Sequence, residues 1–195
     1  MRIFRVVAPL LACLALAGCG SAKPEASAEA AVRCPQAWSH GWQKLANRVG
    51  AAVYCPSWMP NPLDAKIGGQ WTDIDAVDRD GSYLISFIYQ ESQSGEVHVN
   101  LRRYSGTQMP RCRDLNSTKQ IACFSDPHGT LRVGGIDATL YTVGRDADQW
   151  HLTYLWRHGG ATYAVGEHVA PPFTYAQVTR NVQRLVRSLV LLQPA

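Results

Sequence analysis

The sequence predicts an α+β fold: an antiparallel β-sheet of six to seven strands, packed with an N-terminal and a C-terminal helix. Three observations carry this. Stretches between residues 82 and 169 alternate apolar and polar residues with the period of two that a half-buried strand requires. Turn signals separate them at hairpin spacing, notably Asp80-Gly81, Ser92-Gln93-Ser94-Gly95, Gly134-Gly135 and Gly159-Gly160. The two stretches with helical spacing lie outside the strands, at 35–49 and from Thr174 onward, so parallel crossovers are not needed.

The chain of 195 residues opens on Arg2 and Arg5, then an apolar run from Val6 to Leu16, then Leu16-Ala17-Gly18-Cys19. A charged start, a short apolar core and small residues at the cut make a secretory signal. The run is well short of the ~20 residues that span a bilayer as a helix. All four positions 16–19 match the lipobox, and the sequence resembles that of bacterial lipoproteins. The resemblance implies that the Cys19 thiol receives a diacylglycerol, that cleavage falls before it, and that the membrane is reached through this lipid. Residues 1–18 are then signal peptide and 19–33 the lipidated cysteine and a flexible tether, small and polar without an aromatic residue. The single folded domain is 34–195. Gly20 rather than Asp after the cysteine permits sorting to an outer membrane in a host that has two membranes.

The formal charge is +4, from 19 basic and 15 acidic residues; Arg2 and Arg5 leave with the signal, so the mature chain carries 17 against 15. That balance gives no argument for nucleic acid, and export argues against it. Of six cysteines, Cys13 leaves with the signal and Cys19 takes the lipid. The remaining Cys34, Cys55, Cys112 and Cys123 read as two disulfides of three possible connectivities. Cys34–Cys55 and Cys112–Cys123 are favoured because each closes a short loop. A zinc site is disfavoured, as no Cys-x-x-Cys or Cys-x-x-His spacing occurs.

Within the domain, Trp38, Trp42, Leu45 and Val49 recur at helical intervals, and Gly50 is placed to close the helix. Three prolines (Pro56, Pro60, Pro62) then predict a rigid extended segment rather than a central strand, stapled to the first helix by Cys34–Cys55. A weak strand is expected over 66–77 and a turn at Asp78–Gly81. Ser82–Gln90 then presents Tyr83, Ile85, Phe87 and Tyr89 to one side. From 96 to 104, Val97, Val99 and Leu101 alternate with Glu96, His98, Asn100 and Arg102, which makes a strand with a wet face. The polar stretch from Ser105 to Gly129 reads as a long excursion pinned by Cys112–Cys123. Strands follow at 131–133, 136–143, 149–157 and 161–169, with a turn at Arg145–Asp148. Thr174 with Gln177 fits a capping box, and Val178, Val182, Leu185, Val186 and Leu189 form the apolar face of a closing helix.

Gly135-Ile136-Asp137-Ala138, the stretch Leu155-Trp156-Arg157-His158-Gly159-Gly160-Ala161-Thr162-Tyr163 and Val186-Arg187-Ser188-Leu189 are similar to a family of uncharacterised extracytoplasmic bacterial domains. Its members are lipoproteins or the outer parts of membrane-anchored regulatory proteins. The Tyr54–Pro60 segment resembles the Pro-x-x-x-Pro opening of that family. A third to a half of the domain is covered, the motifs are structural, and no catalytic residues carry over. The cysteine-pinned excursion departs from the family pattern.

None of the six histidines stands in His-x-x-x-His or His-Glu-x-x-His spacing. His98, His151 and His168 lie on strands and converge if their faces agree, but wet-face positions are the favoured reading. Asp73, Asp75, Asp78 and Asp80 miss the register of a calcium loop and read as hairpin solubility. There is no Gly-x-Ser-x-Gly, and Gly134-Gly135 precedes a strand, so neither a nucleophile elbow nor a phosphate cradle is indicated. Arg102, Arg103, Arg111 and Arg113 form the densest basic group, read as a solvated face. The favoured function is a non-enzymatic, membrane-anchored binding module for an envelope protein or component, with no cofactor and no metal. One alternative is a lipid or amphiphile carrier lined by Tyr83, Trp150, Tyr154 and Trp156. A second is an envelope hydrolase using the three strand histidines.

Overall fold

The computed structural model describes residues 32–63, 77–91, 95–114, 117–144 and 150–195. The signal, Cys19, the tether to residue 31, the turn at 92–94, the turn at 145–148 and all but Val77 of the strand expected over 66–77 lie outside the described residues; Val77 itself makes an isolated antiparallel bridge to Tyr83. The predicted α+β architecture is present, with two helices and a six-stranded antiparallel sheet.

Helix α1 (Gln36–Val49) buries Trp38, Trp42 and Leu45 of the expected stripe, with Ala46 beside them, while Val49 at its end is half-buried against the same core. Gly50 ends it at φ 65°, where its amide donates to the Ala46 carbonyl at 2.9 Å. The next segment corrects the expectation. Val53–Pro56 forms β1, wholly buried, and pairs antiparallel with β10 (Leu189–Leu192) at the far end of the chain. The expected helix through Leu189 stops at Arg187, because the Ser188 cap closes α2 (Tyr175–Arg187) and the chain turns directly into β10. The prolines do not oppose this strand: Pro56 is its last residue, and Pro60 and Pro62 follow it. The capping box of α2 is complete, with Gln177 N–H donating to Thr174 Oγ1 and Thr174 N–H to Gln177 Oε1.

The main sheet contains β2 (Tyr83–Glu91), β3 (Gly95–Ser105), β6 (Pro127–Val133), β7 (Ile136–Val143), β8 (His151–His158) and β9 (Ala161–His168). Its order is β2-β3-β9-β8-β7-β6. The chain therefore leaves the sheet after β3, re-enters at the far edge, and walks back by hairpins until β9 pairs with β3. The excursion is not bare loop: it holds a small hairpin of β4 (Arg111–Arg113) and β5 (Gln120–Ala122). Both disulfides have the favoured pairing, Cys34–Cys55 and Cys112–Cys123. At the β8–β9 turn Gly159 (φ 54°) and Gly160 (φ 76°) supply the two left-handed residues of a two-residue hairpin loop.

The alternation along the strands puts Tyr83, Ile85, Phe87, Val97, Val99 and Leu101 on one face, with Leu152, Tyr154, Trp156, Tyr163 and Val165 beside them. Helix α2 closes over that face with Val178, Val182, Leu185 and Val186, all buried, and α1 joins the same core.

Candidate functional site

The opposite face of the sheet is the one expected to be wet. It is partly covered. The β4–β5 hairpin lies over it, and the segment leaving β5 sends down Phe124, which meets Tyr104 edge-on at 6.2 Å and Tyr141 at 5.7 Å. Phe124, Leu155 and Ala164 form a second, small apolar cluster, with Met109, Cys123 and Val143 against it. Cys112–Cys123 ties the hairpin together directly above, and the Cys123 amide donates to the Pro110 carbonyl at 2.8 Å. Apolar Leu84, Leu155 and Ala164 at nominally wet positions are the signal in the sequence that points to this cover.

Between hairpin and sheet is a cavity of about 170 Å³. Cys112, Cys123 and Phe124 wall it from above; Asn100, Gly166 and Thr153, register partners on three adjacent strands, line the sheet side. A Cβ at 166 would run into the Thr153 hydroxyl, so the glycine is what lets this side chain lie against the neighbouring strand. Arg102 and Tyr104 stand at one end, the guanidinium 4.8 Å above the ring. Burial pushes the Tyr104 phenol up, and the neighbouring Arg102 offsets part of that. Asn100 is fixed by the Ser86 hydroxyl, which donates to its Oδ1 at 2.7 Å.

His151 lines the other end of the cavity. His151 and His168 face each other across β8 and β9, and His98 precedes Val99, the partner of Glu167, so it falls beside His168 on the third strand. The three rings are gathered, with centroids 4.7, 5.0 and 5.0 Å apart. The Nε2 atoms of His98 and His151 are 2.6 Å apart, so one donates and the other accepts. Strand parity and hairpin register bring together what sequence spacing kept separate.

On the core face beneath, Glu167 is fully buried. Asn181 Nδ2 donates to its Oε1 at 2.9 Å, yet burial prevails and pushes the carboxyl up to about 8.

The other sequence-derived candidates fall elsewhere. Tyr83, Tyr154 and Trp156 are buried in the main core, where Trp156 meets Tyr54 edge-on at 5.1 Å. Trp150 is half-buried and stacks on Tyr175 at 5.4 Å, beside a cavity of about 220 Å³ that His128 and Thr142 also line. The four arginines are not one basic group. Arg103 turns to the core face, where its Nη1 donates to the Gly81 carbonyl at 2.8 Å, while Arg102 faces the other way and Arg111 and Arg113 sit on β4. Asp80 accepts from the Ser82 amide and hydroxyl, which hold its carboxyl below the usual range; this is turn chemistry. Asp73 and Asp75 lie outside the described residues.

Among the described residues no helix is long and apolar enough to cross a membrane. The two disulfides belong to an oxidising, extracytoplasmic setting. No family model, curated protein or solved structure matches the chain.

Proposed function

We propose that this protein is an extracytoplasmic lipoprotein, held to its membrane by a diacylglycerol on Cys19, and that its domain is a non-enzymatic binding module for an envelope component. The observation that carries the binding reading is the cavity under the Cys112–Cys123 hairpin. It combines an apolar wall with a few convergent polar groups (Asn100, Arg102, His151, Thr153), the composition of a small-ligand site. Its volume is that of a site for one aromatic ring; a 150 Å³ cavity holds roughly a benzene. It therefore takes a projecting group of a larger partner rather than a whole lipid chain.

Cys19→Ser is expected to release the protein into the periplasm or the medium; a variant that stays with the membrane overturns the anchor. A photo-crosslinking residue at Leu84, on the cavity rim, is expected to give one discrete adduct in intact cells. That adduct disappears when Ala164→Trp fills the space. An adduct that survives Ala164→Trp puts the binding surface elsewhere.

The carrier alternative has one observation in its favour, the larger cavity beside Trp150 and Tyr175. A stoichiometric amphiphile on the mature protein in native mass spectrometry selects it.

A further inference from the structure

We propose that His98, His151 and His168 form a binding site for one borderline divalent cation, Zn²⁺ or Cu²⁺, at the histidine end of the cavity. The geometry of three rings on three neighbouring strands carries this. An imidazole nitrogen binds Zn²⁺ at about 2.0–2.1 Å, with the ring centre roughly 1.1 Å further out. Tetrahedral angles then put the centres of three ligand rings about 5 Å apart. The observed separations are 4.7, 5.0 and 5.0 Å, nearly an equilateral triangle. Two of those sides follow from the roughly 4.7–4.9 Å spacing of neighbouring strands; the third, between His98 and His151 across the intervening β9, does not, and it is the side that gathers the rings.

As they stand the rings are closed on one another, and among the described residues no group of three or more His, Cys, Asp or Glu stands in a geometry that could hold a metal ion, so the site forms only when these rings turn. The closure is the 2.6 Å contact between Nε2 of His98 and Nε2 of His151. Two nitrogens on one tetrahedral ion stand about 3.3 Å apart. The tips of His98 and His151 must therefore part by well under about 1 Å, and the His168 ring, now tilted only 23° and 24° from the other two, must turn about its side-chain bonds to aim a nitrogen at the same point. The same contact fixes the chemistry. A shared hydrogen requires one neutral ring with its lone pair turned inward. A cation that binds neutral nitrogen replaces that hydrogen, whereas an anion would need the rings protonated and the contact broken. Three imidazoles select Zn²⁺ or Cu²⁺ over Mg²⁺ or Ca²⁺, which prefer oxygen. The four described cysteines, all in disulfides, offer no competing thiolate.

The ladder supplies the preorganisation. His151 and His168 are direct partners, and His98 is held by the β3–β9 register. Because His151 also lines the cavity, a bound ion stands where it meets whatever enters the groove. The site itself rests on the histidines alone and does not depend on the binding reading given above.

The test uses the mature protein, freed of metal by chelation and titrated with ZnCl₂ or CuCl₂ alone in a calorimeter. One equivalent is expected to bind. His98→Ala, His151→Ala and His168→Ala should each weaken it by more than about 100-fold, since even outer-shell changes cost 10–100-fold. His40→Ala and His128→Ala should leave it unchanged, and thermal melts of each metal-free variant report whether it folds. The Cu²⁺ electron paramagnetic resonance spectrum of the unmutated protein needs no variant; nitrogen couplings from three imidazoles are expected. A folded protein that binds neither ion overturns the proposal. So does full binding by the triple variant, or a spectrum without imidazole nitrogen. Ala164→Trp should keep the metal and lose the crosslink, which separates failure of this site from failure of the groove.

Discussion

The two faces of the six-stranded sheet have the same backbone and opposite chemistry. One meets α2, and through β1 and β10 also α1, in a continuous core where Trp42, Phe87, Leu101, Leu152 and Leu185 are almost wholly buried. The other is covered by a hairpin whose own strands are largely exposed, anchored by one phenylalanine, a disulfide and a small apolar cluster. The first face has the packing that resists local opening. The second has little buried apolar surface per residue of cover, so its hairpin opens at a lower free energy than the core does. Cohesion therefore resides on the helix side, while the polar groups, the cavity and the three histidines lie on the hairpin side.

The largest effect sharpens that contrast. Trp42→Ala removes a fully buried indole from the helix side and is expected to cost about 3–5 kcal/mol. Phe124→Ala is expected to cost about 2 kcal/mol, because its cover relaxes towards solvent. Urea midpoints at unchanged slope measure both. Equal losses would erase the distinction between the faces.

Glu167 tests the helix side by pH. Its carboxyl titrates at about 8 when folded, against roughly 4.3 for a free glutamate. Between those values the folded state keeps a proton that the unfolded state has released. The contribution of Glu167 is therefore full below about pH 4.3, falls as pH rises towards 8, and is lost beyond it. Glu167→Gln removes that slope. We expect it to be within about 1 kcal/mol of the parent near pH 5 and more stable by about 4 kcal/mol near pH 9. Parallel pH profiles for the two proteins would show that the buried carboxyl is not held protonated.

Most of the helix side was legible in the sequence, because a buried face leaves a local trace. The 38, 42, 45 spacing gave α1, the Thr174–Gln177 pair gave the start of α2, and the period of two gave the strands. What failed was long-range pairing. β1 and β10 are brief apolar runs, each readable as something else, and only their meeting makes them strands. The hairpin side was harder. Its cover comes from a polar excursion with one informative residue, Phe124, and its histidines stand far apart in the chain. Their parity placed all three on one face, but their common row depends on the β3–β9 pairing of non-consecutive strands, which no local pattern encodes.

The smallest effect probes how tightly the cavity floor is built. Gly166 has no left-handed backbone to protect, so an alanine there is opposed only by what it meets: the Thr153 hydroxyl, with the Leu152 carbonyl and Thr153 Cβ at 3.3 Å. Gly166→Ala alone is expected to cost about 1–2 kcal/mol as the strands shift to admit a methyl. Thr153→Ala removes the obstructing oxygen. In that background the same alanine should cost under about 0.5 kcal/mol, what remains coming from the Leu152 carbonyl and the Cβ of residue 153 at 3.3 Å. The coupling between the two positions, about 1–2 kcal/mol in a double-mutant cycle, is the quantity to measure. Additive effects would mean that β8 and β9 are not in close contact at this row. The floor of the cavity would then be looser than the helix side of the same two strands, where Leu152 and Val165 are almost wholly buried. Strong coupling would mean that the two strands are as rigid under the hairpin as under the helices, and that the weakness of the second face lies in its cover alone.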